Sequence, residues 1–242
     1  MSKQIGLDRI LRVDWLDATA HWVKEGVPKA EIRTKLDKLL ESFLANTGKR
    51  GSRDKTITSL MKIWVSVPQH LRPLRDDGLR LLEILSPKQK VAVHWGMCIA
   101  VYPFFRDVAT VTGRLINVQG TAVMAQITRR MVENWGERST LIRATQRVVR
   151  TFVNFGALQE TDRKGAYKAV NKIKLANSNE LTTWLIESYI LSNGTKMKSL
   201  QEVLNHPAFF PFEMHLTTWD IPKDSRIEIH RHGLDESMVV VR

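Results

Sequence analysis

Between residues 103 and 175 the order of local signals restricts the fold more than any other feature of the 242-residue chain. Phe104–Ile116, Thr121–Trp135 and Ser139–Phe155 carry apolar residues at helical spacing, with Gly120, Gly136 and Gly156 at the breaks. Ala157–Thr161 reads as a short strand. Asp162-Arg163-Lys164-Gly165 has Asp first and Gly last, as a type I turn prefers. After it, Tyr167, Ile173 and Leu175 stand among lysines, and strict alternation from Lys172 to Leu175 predicts a half-buried strand. Helix, helix, helix, strand, turn, strand is the order of a winged helix-turn-helix.

The flanking segments are mainly helical. Asp14–Glu25 is amphipathic and stops at Gly26, and Pro28 falls where a first helical residue is expected. Ile32, Leu36, Leu39, Leu40 and Phe43 then recur at three and four. Asn46–Gly51 reads as a polar loop, Ser52 as the cap of a helix carrying Ile57, Leu60, Met61 and Trp64, and Leu74–Leu85 as a further helix. Ser86-Pro87-Lys88-Gln89 is a capping box with Pro at the first helical position. Toward the end of the chain, Leu181–Leu191 and Ser199–Leu204 read as helices, and Arg226–His232 and Met238–Val241 as strands. The expected fold is mainly α. A helical bundle over 1–102 precedes the winged helix-turn-helix over 103–175, and a small mixed α/β part over 176–242 follows.

Charge points to a class of partner. The net charge is +12, and its surplus lies in the first two thirds. Residues 1–102 hold 18 basic against 11 acidic side chains, and residues 103–175 hold 13 against 5. Residues 176–242 hold 6 against 9. A cationic surface attracts polyanions through counterion release and steering. The single cysteine, Cys98, excludes a disulfide framework and a cysteine zinc site. The first fifteen residues lack the apolar core of a signal peptide, and the longest apolar stretch is too short for a bilayer. A cytoplasmic protein with no membrane partner is expected.

The strongest chemical signal is on Ser139–Phe155. At about 100° per residue, Leu141, Thr145, Val148, Phe152 and Phe155 fall on one side of the helix. Arg143, Arg147 and Arg150 fall on the other, flanked by Ser139, Thr140, Gln146 and Asn154. Arginine matches phosphate and guanine edges bidentately, and Gln or Asn can pair with adenine. Ser139 and Thr140 would meet phosphate at the positive end of the helix dipole. Arg163, Lys164 and Lys168 follow on the turn, placed as a wing would be. The same pattern also describes an ordinary solvated helix face; its position as third helix before a basic hairpin favours duplex DNA. Lys49, Arg50, Arg53 and Lys55 form a second basic cluster, read first as a solvated loop and second as an auxiliary phosphate contact.

Other clusters are weaker. His94 and Cys98 stand four apart in an apolar run, as core residues do. Glu228, His230 and His232 alternate on one strand, which describes any polar strand face. No motif for phosphate loops, zinc proteases, hydrolases or kinases occurs, so no catalytic residue, metal or cofactor is expected. Three further readings stay open: a protein–protein adaptor using the winged helix and the C-terminal region, a metal-dependent enzyme using the Glu228–His232 strand, and a transcriptional regulator.

Tyr102-Pro103-Phe104-Phe105-Arg106-Asp107-Val108, then Trp135, then Ser139-Thr140-Leu141-Ile142-Arg143 and Arg150 through Gly156-Ala157-Leu158, resemble in order and spacing the BrxA family of BREX anti-phage defence systems. The resemblance covers residues 50–160. It implies a helical N-terminal domain before a winged helix, DNA binding, no enzymatic activity, and other defence-system proteins as partners. Ser139, Thr140 and Arg143 are the residues it carries over.

Overall fold

The computed structural model describes residues 4–45, 51–175, 178–194, 197–232 and 236–242. Among these the chain is mainly helical, with small sheets.

The N-terminal helices are α1 (Val13–Lys24), α2 (Lys29–Leu40), α3 (Ser52–Trp64) and α4 (Arg72–Ile84). Each buries one stripe, because its apolar residues recur at three and four. In α2 the buried set is Ile32, Leu36 and Leu40. The starts differ from expectation by one residue. Pro28 precedes α2 as its N-cap, and Gly51 rather than Ser52 holds that place before α3.

Helix α5 (Pro87–Val101) opens at the foreseen capping box, where the Ser86 backbone N–H and hydroxyl both donate to Gln89 Oε1 at 3.3 and 2.8 Å. Every residue from Val91 to Val101 is buried, which makes α5 the central helix. Tyr102 ends α5 and caps α6 (Pro103–Gln119). Gly120, with φ +73°, closes α6 in the left-handed region that favours glycine.

A strand that the sequence reading missed comes next: β1 (Ala122–Val123), directly before α7 (Met124–Trp135). Helix α8 (Leu141–Asn154) follows, then β2 (Leu158–Glu160) and β3 (Ala166–Ala169). The three strands form one antiparallel sheet in the order β1-β3-β2, with Ala122 opposite Tyr167 and Leu158 opposite Ala169. The alternating segment Lys172–Leu175 is not part of this hairpin. Its β4 (Ile173–Lys174) runs parallel to β6 (Phe212–Glu213), and the hairpin's second strand is β3.

In the last third, α9 (Asn179–Ser192) is buried from Leu181 to Ile190. It packs so closely on α5 that a Cβ at Gly96 would lie 2.4 Å from the Trp184 ring. Strand β5 (Met197–Ser199) leads into α10 (Leu200–Leu204) and pairs with β8 (Glu236–Val241), which pairs in turn with β7 (Ile227–His232).

The stretches before 103 and after 175 share one core with the segment between them. Trp95 of α5 shows why. Its ring lies 5.1 Å from Phe105 of α6, 4.7 Å from Phe152 of α8, 5.6 Å from Phe210 and 5.7 Å from Phe212. Its indole N–H donates to the Ala208 carbonyl at 3.0 Å. On α6, a Cβ at Gly113 would sit 2.0 Å from the Pro207 carbonyl oxygen, so glycine is required for the C-terminal segment to seat there.

Candidate nucleic-acid interface

Helix α8 divides as its sequence pattern requires. Leu141, Thr145, Val148, Phe152 and Phe155 are buried, with Ala144, Val149 and Thr151 beside them. Ile142, Arg143, Gln146 and Arg150 are exposed. Ser139 and Thr140 are exposed too, but they lie in the turn before the helix, which starts two residues later than expected. Thr140 occupies the N-cap with helical backbone angles and makes no side-chain cap hydrogen bond. Its hydroxyl is therefore not used by the helix end.

The three arginines do not form one free row, and this corrects the sequence reading. Arg143 makes no hydrogen bond or ion pair among the described residues. Arg150 pairs with Glu160 of β2. Arg147 is drawn sideways by an irregular segment of residues 4–12 that straps across α8. Its Nη1 donates to the Asp8 carbonyl at 2.7 Å and lies 3.5 Å from Asp8 Oδ2. Two more bonds fasten the strap. Leu11 N–H donates to Thr151 Oγ1 at 3.0 Å, and Asn154 Nδ2 donates to the Leu11 carbonyl at 3.3 Å. Asn154 thus serves the strap. Thr151, which the helical wheel leaves at the edge, is buried because the strap covers it.

The basic turn lies one residue later than Asp162–Gly165: its closing bond joins Arg163 and Ala166, and Gly165 is its third residue, at positive φ. Thr161 N–H donates to the Ala166 carbonyl and Ala166 N–H to the Arg163 carbonyl, both at 3.0 Å, and Gly165 takes φ +76°. Arg163 and Lys164 project from the turn and Lys168 from β3 opposite Gln159; all three are exposed and unpaired among the described residues. Met124 N–H donates to the Gly165 carbonyl at 2.8 Å, which ties the turn to the start of α7.

The second basic cluster fails as a phosphate contact at Arg53. That side chain is buried, donates through Nε to the Leu44 carbonyl at 3.0 Å and lies 3.6 Å from Asp37. It braces α3 against the end of α2. Lys49 and Arg50 lie outside the described residues.

The residues that carry the family resemblance are largely structural. Arg106 donates to Asp107 Oδ1 and to the Ser192 carbonyl at 2.7 Å. Asp107 Oδ2 accepts from Trp135 Nε1 at 3.0 Å, and Phe104 meets the Trp135 ring edge-on at 5.1 Å. Together they lock α6 to α7 and α9.

Of the weaker clusters, the His232 side chain lies outside the described residues. His94 is buried and meets Asp17 at 2.9 Å through Nε2, while burial pushes the Cys98 thiol pKa far up. Glu228 pairs with Arg242 on the β7–β8 sheet and lies 3.7 Å from His230. No group of three or more metal-binding side chains occurs among the described residues. Among them, no helix is long and apolar enough to cross a membrane.

Sequence reasoning missed Arg9. It sits beside Arg147, only 7% exposed, with Nη1 3.4 Å from Asp8 Oδ2. No local signal marks it, because its neighbours on α8 lie more than a hundred residues away in the chain. Compared with known protein families, curated proteins and solved structures, the chain matches none.

Proposed function

We propose that residues 103–169 form a winged helix-turn-helix, and that the protein binds duplex DNA through α8 and the β2–β3 turn without catalysing a reaction. The order of elements carries this reading: helix, strand, helix, helix, strand, strand, with the short first strand pairing with the last in the sheet β1-β3-β2. That sheet order returns the hairpin beside the third helix, where a wing flanks a groove-bound helix. Arg143 and Gln146 then face base edges, Ser139 and Thr140 meet phosphate ahead of the helix, and Arg163, Lys164 and Lys168 meet the backbone. Arg150 contributes only when it leaves Glu160.

The resemblance to BrxA extends the proposal to service in a phage-defence locus alongside other proteins. A second reading, docking of a protein partner, draws on Trp219. This side chain is 86% exposed on a single turn held by Thr217 and Asp220.

Anisotropy of a labelled random duplex across a salt series tests the reading. Arg143→Ala should weaken binding and reduce the salt slope by about one if it meets phosphate, or relax preference at one base pair at a cost of about 1–3 kcal/mol if it meets a base. Absence of duplex binding by the wild type at low salt would overturn the proposal and put the docking reading first.

A further inference from the structure

The strap changes what α8 presents. Asp8 Oδ2 lies between two guanidinium groups, 3.4 Å from Arg9 Nη1 and 3.5 Å from Arg147 Nη1. Arg143 stands one helical turn from Arg147 on the same face. Two cations thus flank one carboxylate, with Arg143 a turn away, and the carboxylate is partly open to solvent. Arg9 is nearly enclosed; its Nη1 donates to the Asp8 carbonyl at 2.8 Å, and its Nε makes no hydrogen bond among the described residues. A buried guanidinium with incomplete pairing is costly unless an anion compensates it. The Arg147 pKa moves accordingly: burial lowers it, repulsion from Arg9 lowers it further, Asp8 opposes the shift, and Arg143 adds to the lowering.

We infer that the junction of strap and α8 is a phosphate-binding site, in which Arg147 takes a phosphate of the DNA backbone, Arg9 supplies charge from behind, and Asp8 holds Arg147 until the phosphate replaces it. This rests on the DNA-binding reading and adds the N-terminal strap to the interface. Arginine suits the exchange, since its fork binds carboxylate and phosphate in the same geometry. The Asp8 carbonyl, which also accepts from Arg147, keeps the side chain positioned while the carboxylate is displaced.

Asp8→Asn tests the inference because it removes the competing charge and keeps the carbonyl. The expected result is duplex binding tighter by about fivefold, as removal of one half-exposed competing ion pair of up to about 1 kcal/mol allows, with the log–log slope kept because the same phosphate is neutralised in the wild type. Arg147→Gln, whose amide can still donate to the Asp8 carbonyl, should weaken binding and flatten the slope by about 0.9. If Asp8→Asn leaves affinity at the wild-type value, Asp8 and Arg147 are a closed internal pair and the inference fails, while DNA binding through Arg143 stands. If the wild type binds no duplex, the function proposal fails separately. Thermal unfolding of Asp8→Asn in inorganic phosphate against chloride at matched ionic strength then decides the site. A rise in Tm that Arg147→Gln abolishes shows a site for free phosphate, and no rise removes the site altogether.

Discussion

At the scale of single residues, His206 shows how burial sets a chemical state. Its ring lies 4.3 Å from the Tyr189 ring, tilted by 44°, and Nδ1 accepts from Ala208 N–H at 3.2 Å. Burial first, and then the Arg114 charge, push its pKa down to about 4. The neutral ring is thus favoured in the folded protein. Because the folded pKa lies below the unfolded value of about 6.5, its contribution to stability is complete above that pH and is lost as pH falls toward 4. Urea midpoints measured between pH 7.5 and 4.5 should fall more steeply for the wild type than for His206→Asn, which keeps an acceptor for Ala208 and cannot be charged. Equal slopes would remove His206 as a source of acid sensitivity. The same burial logic separates the arginines. Arg53 and Arg147 look alike in the sequence to Arg143, and only packing from distant segments distinguishes them.

At the scale of elements, the period of apolar residues is sufficient to place α1, α6 and α8 within a few residues, and the capping box places the start of α5 to the residue. What the sequence concealed was pairing. Ala122–Val123 is too short to show alternation, and it is a strand only because Tyr167 and Ala166 lie opposite. Lys172–Leu175 does alternate, but its partner is Phe212–Glu213 and not the adjacent hairpin. The strap has no periodic signal at all, so the sequence conceals the Arg147 half of the candidate site, while it shows the exposure of Arg143 and places the basic turn one residue early. Thr151 measures what the strap contributes. Thr151→Val keeps the shape but leaves the buried Leu11 N–H without its acceptor, at an expected cost of about 1–3 kcal/mol. Hydrogen exchange at residues 8–12 should rise with it; unchanged protection there would mean that other contacts hold the strap.

At the scale of the molecule, the C-terminal third is built into the rest. Arg226 binds both oxygens of buried Glu187, at 2.7 and 3.1 Å, and reaches Asp77 of α4 at 2.5 Å, while Trp184 of α9 donates to the Leu74 carbonyl at 2.9 Å. With Trp95 touching both α8 and Phe210–Phe212, the described residues should melt as one unit. Calorimetry should give a single transition whose calorimetric and van't Hoff enthalpies agree, and two resolved transitions would contradict the shared core. The strap sets a further condition, this time on synthesis. Leu11 and Thr151 are 140 residues apart, so at about 5–20 residues per second the ribosome needs roughly 7–28 seconds to produce the helix on which the strap closes. For that interval the strap has no seat, and its docking is among the later steps by which a nascent chain becomes the finished protein.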